Sequence, residues 1–200
     1  LLYIKNIIYF NHGLPYLGYK GAVKILLVSL EKLNCLLAKK IVTVSNDMKI
    51  NFKGITKKKV FVIHNGTASG LDLKYEKHNL NIVKKIIDFK KGDRVIIFVG
   101  RANKRKGFYD IMNIWSKFFK DKDNFKLILI GINQKDVMEK LKNKAKNIFP
   151  IGLVNDPAPY FKLADYLFMT SHHEGLSYTV LECFKYRTIV ISNKIKGVSE

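Results

Sequence analysis

Residues 94 to 107 read RVIIFVGRANKRKG and carry two different patterns in succession. The first half is a short apolar run rich in β-branched residues, which predicts a buried strand over residues 94 to 100. The second half is a basic turn that leads into a helical pattern over residues 107 to 120. Parallel strands are joined by helical crossovers of this kind. The stretch therefore predicts an α/β fold.

The same alternation continues on both sides of this stretch. Further apolar runs predict strands at residues 7 to 10, 40 to 45, 60 to 65, 125 to 131, 147 to 152, 165 to 171 and 188 to 192. Helical patterns lie between them, at residues 21 to 39, 46 to 53, 81 to 90, 133 to 146, 156 to 164 and 176 to 186. We expect doubly wound parallel sheets with helices on their faces.

A stretch of small and polar residues without clear periodicity, at residues 66 to 80, predicts a linker between two such systems. We place the boundary there, with one domain over residues 1 to 70 and another over residues 71 to 200. Three strands are predicted before the linker, too few for a covered parallel sheet, and five after it. We expect both ends to be cut, with the first domain truncated and the second lacking its last helix.

The formal net charge is +20, from 36 lysine and arginine residues against 16 acidic ones. The cations are scattered, whereas binding to nucleic acid needs them clustered. Arginine is the usual choice for bidentate phosphate recognition, and here it occurs only at Arg94, Arg101, Arg105 and Arg187. We interpret the lysines mainly as solvated surface and expect no nucleic acid partner. Attraction to an anionic membrane remains an alternative.

Membrane spans and metal sites are not indicated. The opening LLYIKNIIYF is too short and too interrupted to cross a membrane. The segment 21 to 38 is apolar around most of its circumference, with Glu31 among the few residues to place in water. We expect it to be a helix buried between the two domains, with docking on a membrane surface as the alternative. Cys35, Cys183 and the adjacent His172 and His173 lack metal-ligand spacing.

Two turns could carry chemistry. The first is Gly100 to Gly107, where Arg101 and Lys106 would flank a crevice at a strand's carboxyl end. A guanidinium and an ammonium together can neutralise a diphosphate, although most basic turns of this type are solvated loops. The second turn, residues 171 to 182, reads SHHEGLSYTVLE.

In the second turn, Glu174 and Glu182 are separated by about two helical turns, so both could face the crevice. Carboxylates suit sugar and ribose hydroxyls, which donate hydrogen bonds. The alternatives are a helix-start acid at Glu174 and a surface residue at Glu182. The pair of turns, one cationic and one acidic, is more specific than either turn alone.

With GRANKRKG and EGLSYTVLE, the sequence resembles the GT-B glycosyltransferases of family 4, which carry a G-R-x(3 to 5)-K-G turn and an E-x7-E motif. HGLP, IVTVS and VIHNGTASGLD resemble the end of that family's N-terminal lobe and its interlobe crossing. The variant HNGTxxGLD is similar to members that elongate polyprenyl-diphosphate-linked glycans. After Glu182, however, the chain reads CFKYRTI where the family often has Ala-Met-Ala-x-Gly-x-Pro, so the glycine that would end the helix is missing.

The resemblance implies a retaining transferase that moves a hexose or an N-acetylhexosamine from a nucleotide diphosphate, such as a UDP-sugar, to a lipid-linked or surface-glycan acceptor. It implies catalytic roles for His12, Arg101, Lys106 and Glu174, with no metal or other cofactor. The implied donor-binding residues are Gly100, Arg101, Lys106, Gly152, Leu153, Val154, Glu174, Gly175, Leu176, Ser177 and Glu182.

Under this resemblance, Arg101 and Lys106 hold the diphosphate, Glu174 contacts the donor sugar, and Glu182 contacts the ribose. We expect a cytoplasmic protein, in contact with the inner face of the membrane. A non-catalytic module that binds sugar nucleotides, or an inactive gene remnant, is the alternative. A basic protein of nucleic acid or membrane surfaces is a more distant one.

Overall fold

The computed structural model describes residues 6–63, 70–71, 78–140, 146–195 and 198. The chain divides into two compact units. The first unit comprises Leu1–Leu71, His173–Ser177 and Lys194–Glu200, and the second comprises Asp72–His172 and Tyr178–Asn193. Most of the predicted linker at residues 66 to 80 lies outside the described residues.

The first unit contains a parallel sheet of three strands in the order β1-β2-β3 over the part of the chain that is described. The strands are β1 (Ile8–Asn11), β2 (Lys40–Thr43) and β3 (Val60–Val62). Helices α1 (Gly21–Leu37) and α2 (Asn46–Asn51) connect them, with 3-10 turns at Pro15–Gly18 and Phe52–Gly54. The core joins Ile41 of the central strand to Cys35 of α1 and Met48 of α2, and Leu176 packs against it.

The second unit contains a five-stranded parallel sheet in the order β6-β5-β4-β7-β8, among the described residues. Its strands are β4 (Arg94–Val99), β5 (Phe125–Ile130), β6 (Ile148–Gly152), β7 (Tyr166–Met169) and β8 (Ile189–Ser192). Its helices are α3 (Asn81–Ile86), α4 (Phe108–Phe118), α5 (Gln134–Lys140), α6 (Ala158–Leu163) and α7 (Tyr178–Tyr186). The predicted α/β class with parallel sheets is confirmed.

The middle of this sheet explains why the apolar runs form strands. Residues 95 to 98 of β4 and 127 to 129 of β5 are at most 2% exposed, as expected where helices cover both faces. Trp115 of α4 is fully buried against β4 and β5. Its indole nitrogen donates to the side-chain oxygen of Asn147 at 3.0 Å, so the polar edge of the ring is satisfied.

Helix α1, expected to be buried between the two domains, is buried along one face and exposed along the other. The buried residues of α1 are Glu31 and Cys35. A stripe of leucines at spacings of four, three and four lies 48 to 60% exposed, comprising Leu26, Leu30, Leu33 and Leu37. A straight helix touches a sheet along one stripe, and these leucines are on the opposite side from Glu31. Glu31 was also expected in water, yet it is 6% exposed.

The end of α7 keeps the geometry that a glycine normally provides. Arg187 has a φ of 62°, in the left-handed region. The amide of Thr188 donates to the carbonyl of Cys183 at 2.9 Å, and the amide of Arg187 donates to the carbonyl of Phe184 at 3.2 Å. These two bonds form a Schellman motif, so the missing glycine changes the strain of this turn and leaves its shape intact.

Both cysteines are buried free thiols. Burial raises the pKa of Cys35 to about 11 and that of Cys183 to about 12. Within the described part of the chain, no helix combines the length and the apolar character needed to span a membrane.

Candidate functional site

The chain reverses direction across the second unit's sheet between β4 and β7. From β4 it proceeds outward to β5 and β6, and it then returns to the other side of β4 as β7. In sheets of this kind the ligand crevice opens beyond the carboxyl ends of the two strands at the reversal. The turns that follow β4 and β7 begin at Gly100 and Thr170, which are the two turns selected from the sequence.

Hydrogen bonds join these two turns to each other. The hydroxyl of Thr170 donates to the carbonyl of Gly107 at 2.8 Å. The amide of His172 donates to the carbonyl of Arg105 at 2.9 Å. The basic turn is closed internally by the amide of Lys106, which donates to the side-chain oxygen of Asn103 at 3.0 Å. These hydrogen bonds hold the two turns together, and the joined turns form what we call the fixed edge of the sheet.

Gly107 makes this close approach possible. Its φ is 71°, and it stands directly before the first residue of α4. A Cβ at this position would lie 1.9 Å from the carbonyl oxygen of Thr170. No side chain fits there, because the contact is with backbone. The contact with Thr170, the residue that follows β7, therefore determines where α4 begins.

The two predicted phosphate ligands differ in exposure. Arg101 is exposed, and Lys106 is partly buried. The stem of Lys106 lies over Gly100, where a Cβ would be 3.1 Å from the Lys106 Cγ. The cationic turn thus combines a forked guanidinium in solvent with an ammonium on a restrained stem.

A row of glycines continues along the same edge. The amide of Gly131 donates to the carbonyl of Gly152 at 2.7 Å. Gly131 has a φ of 82°, and a Cβ there would lie 2.8 Å from the carbonyl oxygen of Gly100. Gly100, Gly131 and Gly152 stand at the carboxyl ends of the three neighbouring strands β4, β5 and β6, so bare backbone lines this edge of the sheet. Leu153 follows Gly152 and is 92% exposed, and Val154 is partly buried.

Sequence reasoning missed Gly131 and Thr170. Gly131 could have been found, because an apolar strand ends in glycine there as it does at Gly100 and Gly152. Thr170 gave no signal, since its role depends on a contact with Gly107, 63 positions earlier in the chain.

Glu182 lies on α7 in the second unit and is partly buried. Burial raises the pKa of its carboxyl group, and the nearby charge of Lys185 acts in the opposite direction. A carboxylate removed from water in this way gains more from hydrogen-bond donors than one on the surface. Glu182 is thus partly withdrawn from water.

The segment His173–Ser177 packs with the first unit. A Cβ at Gly175 would lie 2.6 Å from the carbonyl oxygen of His12 and 3.3 Å from the sulfur of Met48. The structure therefore brings the backbone of His12 next to the residue that follows Glu174. Glu174 is partly buried, and Ser177 is 6% exposed.

His12 follows β1, and its side chain is exposed. Its ring centroid is 4.3 Å from that of Phe10. Two residues at the second unit's edge form a further contact: the ring nitrogen Nε2 of His172 lies 3.0 Å from a carboxylate oxygen of Asp110 on α4. Among the described residues, no group of three or more histidine, cysteine, aspartate or glutamate side chains is arranged to hold a metal ion.

Comparisons with known proteins match this description. The family model described as "Glycosyl transferases group 1" matches residues 81–200. The capsular polysaccharide biosynthesis glycosyltransferase CapH of Staphylococcus aureus is 34% identical over 122 residues, which are 56% of this chain and 34% of the relative. CapM of the same organism, described in the same words, is 24% identical over 201 residues, 95% of this chain and 52% of the relative.

Among solved structures, Anabaena HepE in complex with UDP and glucose superposes with a TM-score of 0.73 at 15% identity. The match covers 96% of this chain and 54% of that one. At this identity the likeness concerns the fold alone. The chain spans about a third to a half of the length of the two relatives.

Proposed function

The chain belongs to the glycosyl transferases group 1 family, and on that premise we propose that it carries the donor site of a retaining glycosyltransferase. Its fold is of the GT-B type. The proposed reaction moves a hexose or an N-acetylhexosamine from a nucleotide diphosphate to a lipid-linked or surface-glycan acceptor. The observation that carries the proposal is the fixed edge at the reversal between β4 and β7.

In this proposal the diphosphate lies against the basic turn. Arg101 contributes a forked pair of donors, and Lys106 contributes a point charge. The backbone at Gly100 lets phosphate oxygens approach closely, because no Cβ intervenes. The α4 amino terminus adds partial positive charge at the same end of the sheet. These groups favour the doubly charged diphosphate over a neutral sugar.

The remaining contacts follow the family resemblance. Glu182 accepts hydrogen bonds from the ribose hydroxyls, and the main chain of Gly152, Leu153 and Val154 meets the base. Glu174 contacts the donor sugar, and the backbone amides of Gly175, Leu176 and Ser177 donate hydrogen bonds to the phosphates. His12 keeps its predicted catalytic role. UDP is the nucleotide we test first, because HepE is described in complex with UDP and glucose.

Catalysis in this scheme is charge stabilisation and positioning. As the sugar leaves, negative charge grows on the diphosphate, and in this proposal Arg101 and Lys106 stabilise it. The acceptor hydroxyl attacks the face from which the diphosphate departs, so the anomeric configuration is retained without a protein nucleophile. We propose that the reaction needs no metal, since the two cations supply the charge that a divalent ion would otherwise supply.

The acceptor and the location of the reaction are inferred from relatives. CapH and CapM are described as enzymes of capsular polysaccharide biosynthesis. We propose a growing surface glycan on a lipid carrier as the acceptor, with transfer on the cytoplasmic side of the membrane and peripheral contact with it.

Calorimetric titration of the 200-residue chain with UDP and UDP-sugars tests the donor site. Removing the guanidinium in Arg101→Ala is expected to weaken binding by about 1 to 3 kcal/mol, or roughly 5- to 150-fold. Arg94→Ala is the matched control. Arg94 stands at the opposite end of the same strand, where its guanidinium lies 3.4 Å from Asp165, so its removal takes away equal charge without touching the crevice.

Equal losses in the two variants would mean that binding depends on net charge alone, and the site assignment would fail. It would also fail if no nucleotide diphosphate bound to the folded wild-type chain. Binding of UDP without transfer to any acceptor would instead favour the non-catalytic module.

A further inference from the structure

A buried carboxylate in the first unit has no role in the scheme above. Glu31 lies on the sheet-facing side of α1 and is 6% exposed. Its neighbours on that side are apolar, with Cys35 one turn further on. Burying a carboxylate costs several kcal/mol unless hydrogen bonds compensate, and burial raises the pKa of Glu31. An apolar residue would be the ordinary choice at this position.

Two donors from β1 converge on one oxygen of this carboxylate. The hydroxyl of Tyr9 donates to the Glu31 Oε1 at 2.7 Å, and the side-chain amide of Asn11 donates to the same atom at 3.0 Å. The amide nitrogen of Asn11 also lies 2.8 Å from the hydroxyl oxygen of Tyr9. Asn11 is 4% exposed, so its amide has little access to water.

The other end of the Asn11 side chain holds the turn that follows β1. Its oxygen accepts the backbone amide of Gly13 at 3.1 Å. A side-chain amide has one accepting end and one donating end. If the oxygen faces Gly13, the nitrogen must face acceptors in the interior, and these are the Glu31 carboxylate and the hydroxyl oxygen of Tyr9. The Tyr9 oxygen can accept because its own proton is donated to Glu31. The carboxylate thereby fixes which way the amide points.

Between these two anchors lies His12. Its ring stacks at a tilt on Phe10, with centroids 4.3 Å apart, and its carbonyl oxygen borders Gly175. Asn11 precedes His12, and Gly13 follows it. The position of the His12 backbone is therefore set on one side by the Asn11 amide and on the other by the segment that carries Glu174.

We propose that Glu31 is a positioning residue which, through the orientation of Asn11, holds the His12–Gly13 turn in place for the transfer reaction. This inference rests on the proposed function, since it assumes that His12 works on the donor. Glu31 touches neither reacting atoms nor donor in this scheme, and it acts only through Asn11. The turn requires a hydrogen-bond acceptor at position 31. An uncharged acceptor should therefore be able to replace the Glu31 carboxylate, whereas an apolar side chain should not.

Three variants separate positioning from simple stability. Glu31→Leu removes the carboxylate that accepts from both Tyr9 and Asn11. The Tyr9 hydroxyl then loses the acceptor for its proton and has the Asn11 side chain in reach, so the amide is expected to turn its oxygen toward Tyr9 and release the Gly13 amide. Glu31→Gln keeps an acceptor oxygen of the same reach. Cys35→Ala is the control, because it removes a buried side chain from the same face of α1 without removing a hydrogen bond to the turn.

The readouts are the hydrogen exchange rate of the Gly13 amide and the ring resonances of His12, measured by NMR on the 200-residue chain. In Glu31→Leu we expect exchange at Gly13 to be about tenfold faster, as for the loss of one hydrogen bond, and the His12 signals to lose the ring-current shift from Phe10. In Glu31→Gln both readouts should stay close to wild type. In Cys35→Ala both should match wild type, while amides of β2 report any general loss of stability.

Unchanged exchange at Gly13 in Glu31→Leu would overturn the inference, as would equal changes in Cys35→Ala. Adding UDP to the same samples tests the donor site separately. Movement of the Gly100 and Gly107 amides supports the proposed function, and no movement contradicts it, whatever the result at Gly13. Failure of one proposal is thus distinguishable from failure of the other.

Discussion

Gly107 offers a direct test of how the two turns are joined. Replacing it by alanine places a Cβ 1.9 Å from the carbonyl oxygen and 2.4 Å from the carbonyl carbon of Thr170. Both atoms are backbone, so the contact cannot be relieved by a side-chain rotation. The turn must move away from β7, and it then loses the 2.8 Å bond from the Thr170 hydroxyl and strains the 2.9 Å bond between His172 and Arg105.

The expected cost has two parts. An alanine in the left-handed region costs about 1 to 2 kcal/mol, and each weakened hydrogen bond costs about 1 kcal/mol. We therefore expect Gly107→Ala to lower the free energy of unfolding by about 3 to 4 kcal/mol. Gly92→Ala separates the two parts, because Gly92 has a φ of 99° and no atom within 4 Å of an added Cβ. It should cost only about 1 to 2 kcal/mol.

Urea denaturation followed by circular dichroism measures both variants, and calorimetry with UDP follows on the folded samples. We expect UDP affinity to fall at least about tenfold in Gly107→Ala, since one lost charge-assisted contact accounts for that much, and to stay unchanged in Gly92→Ala. Equal destabilisation of the two variants would refute the reasoning, because it would leave the contact with Thr170 without consequence.

Two further variants test strain and charge. Arg187→Gly should raise the free energy of unfolding by about 0.5 to 1 kcal/mol in urea denaturation, because glycine relieves left-handed strain but gains freedom in the unfolded chain. Arg187→Ala should leave the free energy of unfolding unchanged. An equal increase in both variants would show that backbone strain at position 187 is not the cause. For Glu182, burial raises the folded pKa above the ordinary 4.5, so its contribution to stability is full below pH 4.5 and is lost as pH rises through the folded pKa. Glu182→Gln should therefore gain stability relative to wild type as the pH rises above 4.5, and a difference that does not change with pH would contradict this.

The strands could be predicted from the sequence because their signal is local. In β4 and β5 nearly every side chain is buried, so the requirement for apolar residues falls on consecutive positions. Strand ends are less well defined, since pairing rather than residue type decides where a ladder stops. The short 3-10 turn at Pro15–Gly18 was not predicted, because a single turn leaves no periodicity to detect.

The orientation of α1 could not be predicted, because the helix is apolar on both sides. The residue that marks its inner side is Glu31, and a lone acid in an apolar helix ordinarily marks the outer side. Its partners, Tyr9 and Asn11, come from a strand about twenty positions earlier. A buried acid is recognisable only when its donors are known.

The pair of turns was predictable in outline for a related reason. Crossover connections return every strand of a parallel sheet in the same direction, so all carboxyl ends share one edge. That rule places residues 100 to 107 and 170 to 172 on the same edge without any knowledge of strand order. The rule cannot predict the contact that holds the two turns together, because that contact depends on the Thr170 hydroxyl and on the missing Cβ of Gly107.

The two units use the same device at the points where chemistry is predicted. Lys106 directly precedes Gly107, whose Cα lies against the backbone of Thr170, and Glu174 directly precedes Gly175, whose Cα lies against the backbone of His12. A glycine pressed against backbone fixes the path of the chain without occupying the crevice. The Cα of the preceding charged residue is then held in place. This restriction reduces the entropy lost when a ligand is bound. We therefore expect glycine at these two positions to affect ligand affinity as well as stability.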